Sequence, residues 1–260
     1  MLEARAALVR EWIEEATAYI HDQLDGDIEI QSKSNRKDLV TNVDKEVELL
    51  FRQKIAENFP EDRYIGEEKM GDTPSNLAGG VWIVDPIDGT ANFVLQQNHF
   101  AIMVAYYEDG LGKLGVVYDV VQDDYFEAIA GQGIKRNGRV FNKPSYTDKP
   151  LHDSLIAVNG GMVMTDAYKV QELVKESMGL RIYGSAGIEI IALLKGEIAA
   201  YVSPRLQPWD IAAGQVLANE VGIQVSQFTG EPVDLLNQNR VLAAYPSAYR
   251  RMIENLKGPR

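Results

Sequence analysis

Apolar residues in the first part of the chain recur every three or four positions, the spacing of an amphipathic helix. In the first predicted helix, which Gly26 closes, these residues are Val9, Trp12, Ile13, Ala16 and Ile20. A second helix, predicted to end before Pro60, has these residues on one face: Val43, Val47, Leu50, Phe51, Ile55 and Phe59. Between the helices, residues 28–30 are predicted to form a short strand and residues 33–38 a polar loop.

Between residues 100 and 141 the pattern changes to short β-rich runs separated by polar turns. A loop over 71–80 and a strand at Val81–Val84 precede them. The runs themselves are Phe100–Tyr107, Gly115–Val120 and Tyr125–Ala130. Asn137-Gly138, between Ile134 and Val140, is a strong signal for a two-residue hairpin. We therefore predict an antiparallel sheet in this part of the chain.

After about Pro150 predicted strands and helices alternate, which is typical of an α/β arrangement. The predicted strands are Leu155–Val158, Arg181–Tyr183, Ala199–Val202, Ile223–Ser226 and Val241–Ala244. The predicted helices lie near 165–178, 186–195, 209–221 and 246–256. We place a soft boundary near residue 145, which separates an α+β half (1–145) from an α/β half (146–260).

Composition narrows the range of functions. The 260 residues include no cysteine, which excludes disulfides and thiol nucleophiles, and only His21, His99 and His152 as histidines. The net charge of −12 disfavours sequence-independent binding to nucleic acid or to an anionic membrane. Neither a signal-peptide-like start nor a run of about 20 apolar residues is present, so we expect a cytoplasmic protein.

The run Trp82–Thr90 is the most informative stretch, because an apolar strand ends in two carboxylates, Asp85 and Asp88. Buried strands rarely finish on two acids unless a positive group lies between them, and a hard cation such as Mg²⁺ suits carboxylate and carbonyl oxygens. Gly89 allows a close backbone approach, and free N–H groups at the start of the next helix would suit a phosphate. The alternative is a strand-to-helix turn with Asp88 as its N-cap.

Other acids occupy similar places, where an apolar run gives way to a helix or loop. Glu67 follows an apolar run, and Asp210 lies in the first turn of a predicted helix. Asp210 alone is explained by the helix dipole, and Asp44 by a capping box with Thr41. Spacing along the chain does not bring these residues together.

The motifs together resemble the inositol monophosphatase family, within the lithium-sensitive, Mg²⁺-dependent phosphatase superfamily that includes fructose-1,6-bisphosphatase. They are Lys33-Ser34, Asp38-Leu39-Val40-Thr41-Asn42-Val43-Asp44, Gly66-Glu67-Glu68, Asp85-Pro86-Ile87-Asp88-Gly89-Thr90-Ala91-Asn92-Phe93, Gly184-Ser185-Ala186 and Trp209-Asp210-Ile211-Ala212-Ala213-Gly214. The resemblance implies a layered αβαβα sandwich with an antiparallel sheet in the first half, and a homodimer.

The resemblance also implies a metal site and a catalytic relay. Glu67, Asp85 and the Ile87 carbonyl would hold one Mg²⁺; Asp85, Asp88 and Asp210 would hold a second, and a third would bind near Glu67. A water on the first metal would attack phosphorus in line. Thr90, oriented by Asp44, would help to take its proton, while Glu67 also orients that water.

Substrate contacts implied by the resemblance are the N–H groups of Gly89 and Thr90 and, near the metals and phosphate, Lys33. The segment Gly184, Ser185 and Ala186 would contact the substrate's ring side; the alternative is that Gly184 and Ser185 form only a strand-to-helix turn. Asp210 would lie next to the substrate as well.

The sequence departs from inositol-selective members at one position. They have a glutamate seven residues before the aspartate of the Trp-Asp pair, and this chain has Ser203 there. Arg205 adds a cation where a second phosphate would fit, or is a surface loop arginine. Inositol phosphate, other polyol or sugar phosphates, fructose 1,6-bisphosphate and the 2′-phosphate of NADP are therefore all candidate substrates.

A different class of function also stays open, because at least one bacterial family member acts as a protein partner in RNA processing or transcription. Retention of the full set of acids favours a working enzyme, since a scaffold has no physical need for paired anions.

Overall fold

The computed structural model describes residues 2–24, 30–32, 39–68, 74–145 and 147–258. Its first elements are α1 (Leu2–Leu24), β1 (Ile30–Ser32), β2 (Leu39–Thr41) and α2 (Asn42–Asn58). The two predicted helices are confirmed, and α2 ends before Pro60 as expected. Gly26, the 33–38 loop and the first two residues of the predicted short strand lie outside the described residues; Ile30, the third, opens β1.

A seven-stranded sheet follows, and its strands lie side by side in chain order. They are β3 (Arg63–Gly66), β4 (Gly80–Asp88), β5 (Ala101–Glu108), β6 (Leu111–Asp119), β7 (Asp124–Ile129), β8 (Ile134–Arg136) and β9 (Arg139–Phe141), with α3 (Thr90–Gln96) between β4 and β5. β3 and β4 are parallel, and all other neighbours are antiparallel. The predicted antiparallel sheet is confirmed, including the hairpin at Asn137-Gly138, where both residues have positive φ.

The second half of the chain forms a five-stranded mixed sheet with helices between its strands. Its elements are β10 (Leu155–Val158), α4 (Gly160–Thr165), α5 (Val170–Glu176), β11 (Gly179–Arg181), α6 (Ala186–Leu194), β12 (Ala200–Leu206), α7 (Pro208–Glu220), β13 (Gln224–Gln227), β14 (Asn239–Ala244) and α8 (Pro246–Leu256). The strand order is β11-β10-β12-β14-β13, with β10 parallel to both neighbours and β14 antiparallel to both of its own.

Two predicted elements in this half were wrong in position. The helix expected near 165–178 is shorter than predicted: α5 occupies its later part, and a 3₁₀ turn over Ala167–Lys169, in which Tyr168 has a φ of 58°, separates α5 from α4. Tyr168 is buried there against Phe228, with ring centroids 5.1 Å apart, so tertiary packing outweighs local helix preference. The strand expected at 181–183 ends at Arg181, because the Tyr183 N–H donates to the carboxylate of Glu189 at 2.9 Å rather than to a neighbouring strand.

The elements stack in five layers, which confirms the αβαβα sandwich. Helices α1 and α2 cover one face of the seven-stranded sheet, where Trp12 and Trp82 pack with ring centroids 5.9 Å apart. Helices α6 and α7 fill the space between the two sheets, and α4, α5 and α8 cover the outer face of the five-stranded sheet. The boundary near residue 145 stays a prediction.

Helix α7 lies very close to the seven-stranded sheet. A Cβ on Gly115 of β6 would come within 2.6 Å of the Ala213 carbonyl oxygen, so only a glycine fits at this contact. Because of this close packing, the first turn of α7 lies near the end of β4, although the two elements are far apart in sequence. Within the described ranges no helix is both long enough and apolar enough to cross a membrane.

Candidate metal centre

The two acids at the end of β4 point to one side because the strand contains a bulge. On a regular strand, residues three apart face opposite sides of the sheet. Here Asp85 pairs with Met103 and Asp88 with Ala101, so β4 gains one residue relative to β5 between the two pairs. The extra residue reverses the alternation. The Ile87 N–H donates to Asp85 Oδ1 at 3.1 Å, which fixes the first carboxylate within the turn.

Asp210 joins these acids from the start of α7. Pro208 opens that helix, and the Gln207 N–H donates to Asp210 Oδ2 at 2.8 Å in a capping box. One oxygen each of Asp85, Asp88 and Asp210 lies within 4.8 Å of the others. Asp210 lies in the first turn of α7, as the helix-dipole explanation expected, and it is also within reach of the other two acids. The structure brings together three of the four carboxylates expected to bind metal.

Burial raises the pKa of all three carboxyl groups, and repulsion by neighbouring acids adds to that effect at Asp85 and Asp210. Burial, followed by the charges of Glu67, Asp88 and Asp210, raises the pKa of Asp85 well above its usual range. The pKa of Asp210 is also raised well above its usual range, first by burial and then by the charge of Asp88. A divalent cation among these oxygens would remove the repulsion, and carboxylate oxygens are the ligands that Mg²⁺ prefers. The donor set therefore fits such an ion.

Asp88 is not the N-cap of the helix that follows it, so that alternative was wrong. Gly89 occupies the cap position of α3 with a φ of 93°, a conformation suited to glycine. The Asp88 carboxylate instead accepts hydrogen bonds at the start of α6, from the Ser185 hydroxyl, from the Ala186 N–H at 3.1 Å and from the Gly187 N–H at 2.7 Å. These donors lower the pKa of Asp88, while burial, the larger effect, raises it.

Thr90 and Asp44 form the expected contact. The Thr90 hydroxyl lies 3.0 Å from Asp44 Oδ1 and 3.2 Å from the Ile87 carbonyl oxygen, and it donates to these acceptors. The other Asp44 oxygen accepts from the backbone and side chain of Thr41, at 2.8 and 2.5 Å, which is the predicted capping box of α2. Asp44 is fully buried, so its carboxylate is held on both sides.

Glu67 follows β3 and lies outside the group of three acids. Its charge is nevertheless the largest Coulombic contribution to the raised pKa of Asp85. The backbone around it is held by Glu48, a buried residue of α2 whose Oε2 accepts the Glu68 N–H at 2.6 Å. A Cβ on Gly66 would lie 2.6 Å from the Glu48 carboxyl group and from the Tyr64 ring, so a larger residue there would displace one of these side chains.

A cavity of about 210 Å³ opens beside Asp88 and Asp210. Predicted substrate residues line it: Gly184, Ser185, Ala186, Ser203, Arg205 and Asp210. Ser203 is buried, whereas Arg205 at the end of β12 is exposed and borders the same cavity. Gly89 faces Ser185, since a Cβ on this glycine would lie 3.0 Å from the Ser185 Cβ. Lys33 lies outside the described residues.

Two residues of the site were not predicted from the sequence. Asn92 of α3 donates from Nδ2 to the carbonyl oxygens of His99 and Tyr183, both at 2.8 Å, which joins the two halves of the chain next to Gly184. Glu189 lines the cavity from α6 and is buried. Its signal in the sequence was a single acid within the otherwise apolar segment 186–194.

Comparison with known proteins agrees with this geometry. The inositol monophosphatase family matches residues 1–258. The inositol-1-monophosphatase of Bacillus subtilis is 42% identical over 251 residues, covering 95% of this chain and 94% of the relative. The Nus factor SuhB of Escherichia coli is 32% identical over 232 residues, which cover 87% of this chain and 85% of that relative.

A solved structure of an IMPase/NADP phosphatase in complex with Mg²⁺ and phosphate has a TM-score of 0.90. It is 30% identical, with coverage of 98% of this chain and 95% of that chain. The match along nearly the whole sequence and the shared fold lead to one conclusion: the chain belongs to the inositol monophosphatase family.

Proposed function

We propose that this protein is a Mg²⁺-dependent phosphomonoesterase that hydrolyses inositol monophosphate or a related polyol or sugar phosphate. The observation that carries the proposal is the meeting of Asp85, Asp88 and Asp210, with oxygens within 4.8 Å of one another, beside a cavity. Hydrolysis of phosphate monoesters is among the slowest uncatalysed reactions, because a dianion repels an incoming oxygen nucleophile. Cations bound by a buried group of carboxylates would neutralise the negative charge of the phosphate and so reduce this repulsion.

The metal ligands proposed are those of the family resemblance. Glu67, Asp85 and the Ile87 carbonyl would hold one Mg²⁺, and Asp85, Asp88 and Asp210 would hold a second, with a third, weaker ion near Glu67. When bound, these ions neutralise phosphate oxygens, lower the pKa of a bound water and stabilise the leaving alkoxide. We expect lithium to inhibit by competing with Mg²⁺.

The chain's own groups orient the phosphate and move the proton. The Thr90 hydroxyl, 3.0 Å from Asp44 Oδ1, accepts a proton from the attacking water as it passes its own proton to Asp44. Asp44 is held for this by Thr41. The N–H groups of Gly89 and Thr90 bind phosphate oxygens, and the family resemblance assigns Lys33 a role in balancing the phosphate charge. Glu67 orients the water.

The residues that line the cavity beside the acids favour a second candidate activity, which is also the hydrolysis of a phosphate monoester. Ser203 replaces the glutamate of inositol-selective relatives, and Arg205 places a guanidinium on the rim of the same cavity. A guanidinium binds phosphate well, so a substrate with a second phosphate fits this side. Removal of the 2′-phosphate of NADP is the main alternative, and hydrolysis of fructose 1,6-bisphosphate is another. The similarity to a dual IMPase/NADP phosphatase supports this alternative.

A non-catalytic role as a protein partner in RNA processing is a less favoured alternative. The similarity to the Nus factor SuhB is the observation in its favour. Retention of Asp44, Asp85, Asp88, Thr90 and Asp210 in one buried cluster favours catalysis, because a scaffold gains nothing from buried like charges. A metal-binding mutant that keeps every cellular function would reverse this preference. The cytoplasmic location stays a prediction.

The activity is tested by the substitution Asp210→Asn. The amide side chain keeps an oxygen that accepts the Gln207 N–H but carries no negative charge, so we expect a folded protein. Release of phosphate from inositol 1-phosphate, measured at saturating Mg²⁺, should fall by ~10²–10³-fold, as when a group that stabilises developing charge is removed. Asp88→Asn should do the same.

The matched control is Asp153→Asn, at a side chain that is 62% exposed, and this variant should keep wild-type turnover. Normal turnover by purified Asp210→Asn at saturating Mg²⁺ would overturn the assignment. A panel with NADP and fructose 1,6-bisphosphate, with and without Mg²⁺, identifies the preferred substrate.

The metal site makes a prediction about stability and pH. Because the folded-state pKa of Asp85 is raised, its contribution to the stability of the metal-free protein is most favourable below the usual carboxyl range and becomes less favourable as pH rises through the raised pKa. Asp85→Asn removes one buried charge, so at pH 8 in chelator its Tm should exceed the wild-type value by about 2–4 °C, or about 1 kcal/mol. Mg²⁺ should raise the wild-type Tm and have a much smaller effect on the variant.

Thermal unfolding followed by circular dichroism measures both effects, with Asp153→Asn as the control that keeps the wild-type response. A wild-type Tm that does not respond to millimolar Mg²⁺ would contradict the proposed metal site.

Specificity is tested at the cavity rim. Arg205→Ala should reduce kcat/KM for NADP and fructose 1,6-bisphosphate by ~10-fold relative to inositol 1-phosphate, since one charge-assisted contact is lost. Ser203→Glu should shift the ratio toward inositol 1-phosphate. If neither variant changes any of the substrate ratios, this segment does not set specificity.

We also propose a homodimer, as the family resemblance implies. β11 is an edge strand of the five-stranded sheet, and the apolar residues on either side of it, Met178 and Ile182, are 68% and 55% exposed. Light scattering should give twice the 28.9 kDa of one chain, and Met178→Asp should lower that mass. Leu111→Asp, at a residue 63% exposed on β6, is the control and should leave the mass unchanged. A wild-type mass of one chain at micromolar concentration would rule the dimer out.

A further inference from the structure

Glu189 is a buried acid on the wall of the cavity that the proposed reaction does not use. It is 4% exposed, and it is the single charged residue of the apolar helix α6. The cavity it lines also has Asp88, Asp210, Ser203 and Arg205 on its walls. A carboxyl group is almost never buried unless its oxygens have partners, so its surroundings need an explanation.

The two oxygens of this carboxyl group differ. Oε1 accepts the Tyr183 N–H at 2.9 Å, and the Gly184 N–H adds a second favourable backbone contact to the group. Oε2 is buried and has no hydrogen-bond partner among the described residues. Leaving a buried carboxyl oxygen without a hydrogen bond is unfavourable, so a hydroxyl bound at this oxygen would gain affinity. The backbone contacts hold the group in place on the cavity wall, while its other oxygen is left without a partner.

The charge state of Glu189 suits a hydroxyl partner. Burial raises its pKa to about 7, with the charge of Asp88 acting in the same direction and the two backbone N–H groups opposing it. A carboxyl group near its pKa either donates a hydrogen bond or accepts one, and a hydroxyl does both. A second phosphate, by contrast, would be repelled by this acid and attracted by Arg205 on the same cavity.

We propose that Glu189 is a specificity-determining residue, whose unpartnered Oε2 binds a hydroxyl group on the alcohol part of the phosphate monoester. The proposal rests on the proposed function and deepens it, because it selects for a ring or chain with hydroxyls near the ester. It would also let a chain with Ser203 in place of a glutamate bind a polyol. Glu189 reaches the same cavity from α6 instead of from β12.

The alternative is that Glu189 only holds the Tyr183–Gly184 turn. Glu189→Gln separates the two roles, because the amide oxygen still accepts the Tyr183 N–H while the second oxygen becomes an NH₂ group. The assay compares kcat and KM for inositol 1-phosphate with those for phenyl phosphate, whose six-membered ring has no hydroxyl. Glu172→Gln, at an exposed position on α5, is the matched control.

The variant should lose at least ~10-fold more kcat/KM on inositol 1-phosphate than on phenyl phosphate, mainly through KM, as for one lost hydrogen bond to a buried group. Equal losses on both substrates, or no loss on either, would overturn the proposal and leave the phosphatase assignment standing. Wild-type protein that hydrolyses neither substrate would overturn both. If the variant does not fold, a crystal structure of the wild type with inositol 1-phosphate and Ca²⁺ decides the matter. It supports the proposal with a ring oxygen within ~3.2 Å of Oε2 and contradicts it without one.

Discussion

The fold is organised around the cost of burying several carboxylates in one place. Asp85 and Asp88 are each at most 6% exposed, and Asp210 lies beside them. The ionised carboxylates repel one another, which destabilises the folded state. Nearby positive charge offsets this repulsion. The chain supplies part of it from its own backbone and leaves the rest to bound cations.

The backbone contribution comes from helix N-termini. Asp44 and Asp210 are the acidic members of capping boxes in α2 and α7, and Asp88 accepts two N–H groups at the start of α6. The partial positive charge at a helix N-terminus stabilises a nearby anion. The N-termini of α2, α6 and α7 therefore each stabilise one of these carboxylates. The capping roles and the metal role are therefore compatible. The same hydrogen bonds that begin each helix fix the position of a carboxylate for chemistry.

Much of the fold was predictable from the sequence, because it depends on local patterns. The spacing of Val9 to Ile20, the Asn137-Gly138 turn and the start of α8 after Tyr245 are each determined by a few neighbouring residues. The errors arose where distant residues decide the outcome. Tyr168 leaves a helical conformation to pack on Phe228, and the partners of Asp88 come from the 185–187 segment, which no local pattern connects to it. Glu189 was missed for the same reason: its role depends on a cavity shared by segments far apart in the chain.

The most direct test of the central claim is a crystal of the protein soaked with Mn²⁺, with the anomalous signal measured at the manganese edge. The account predicts at least two anomalous peaks among Glu67, Asp85, Asp88 and Asp210, with Asp85 a ligand to both ions. Carboxylates that point apart, with no anomalous peak between them, would contradict it.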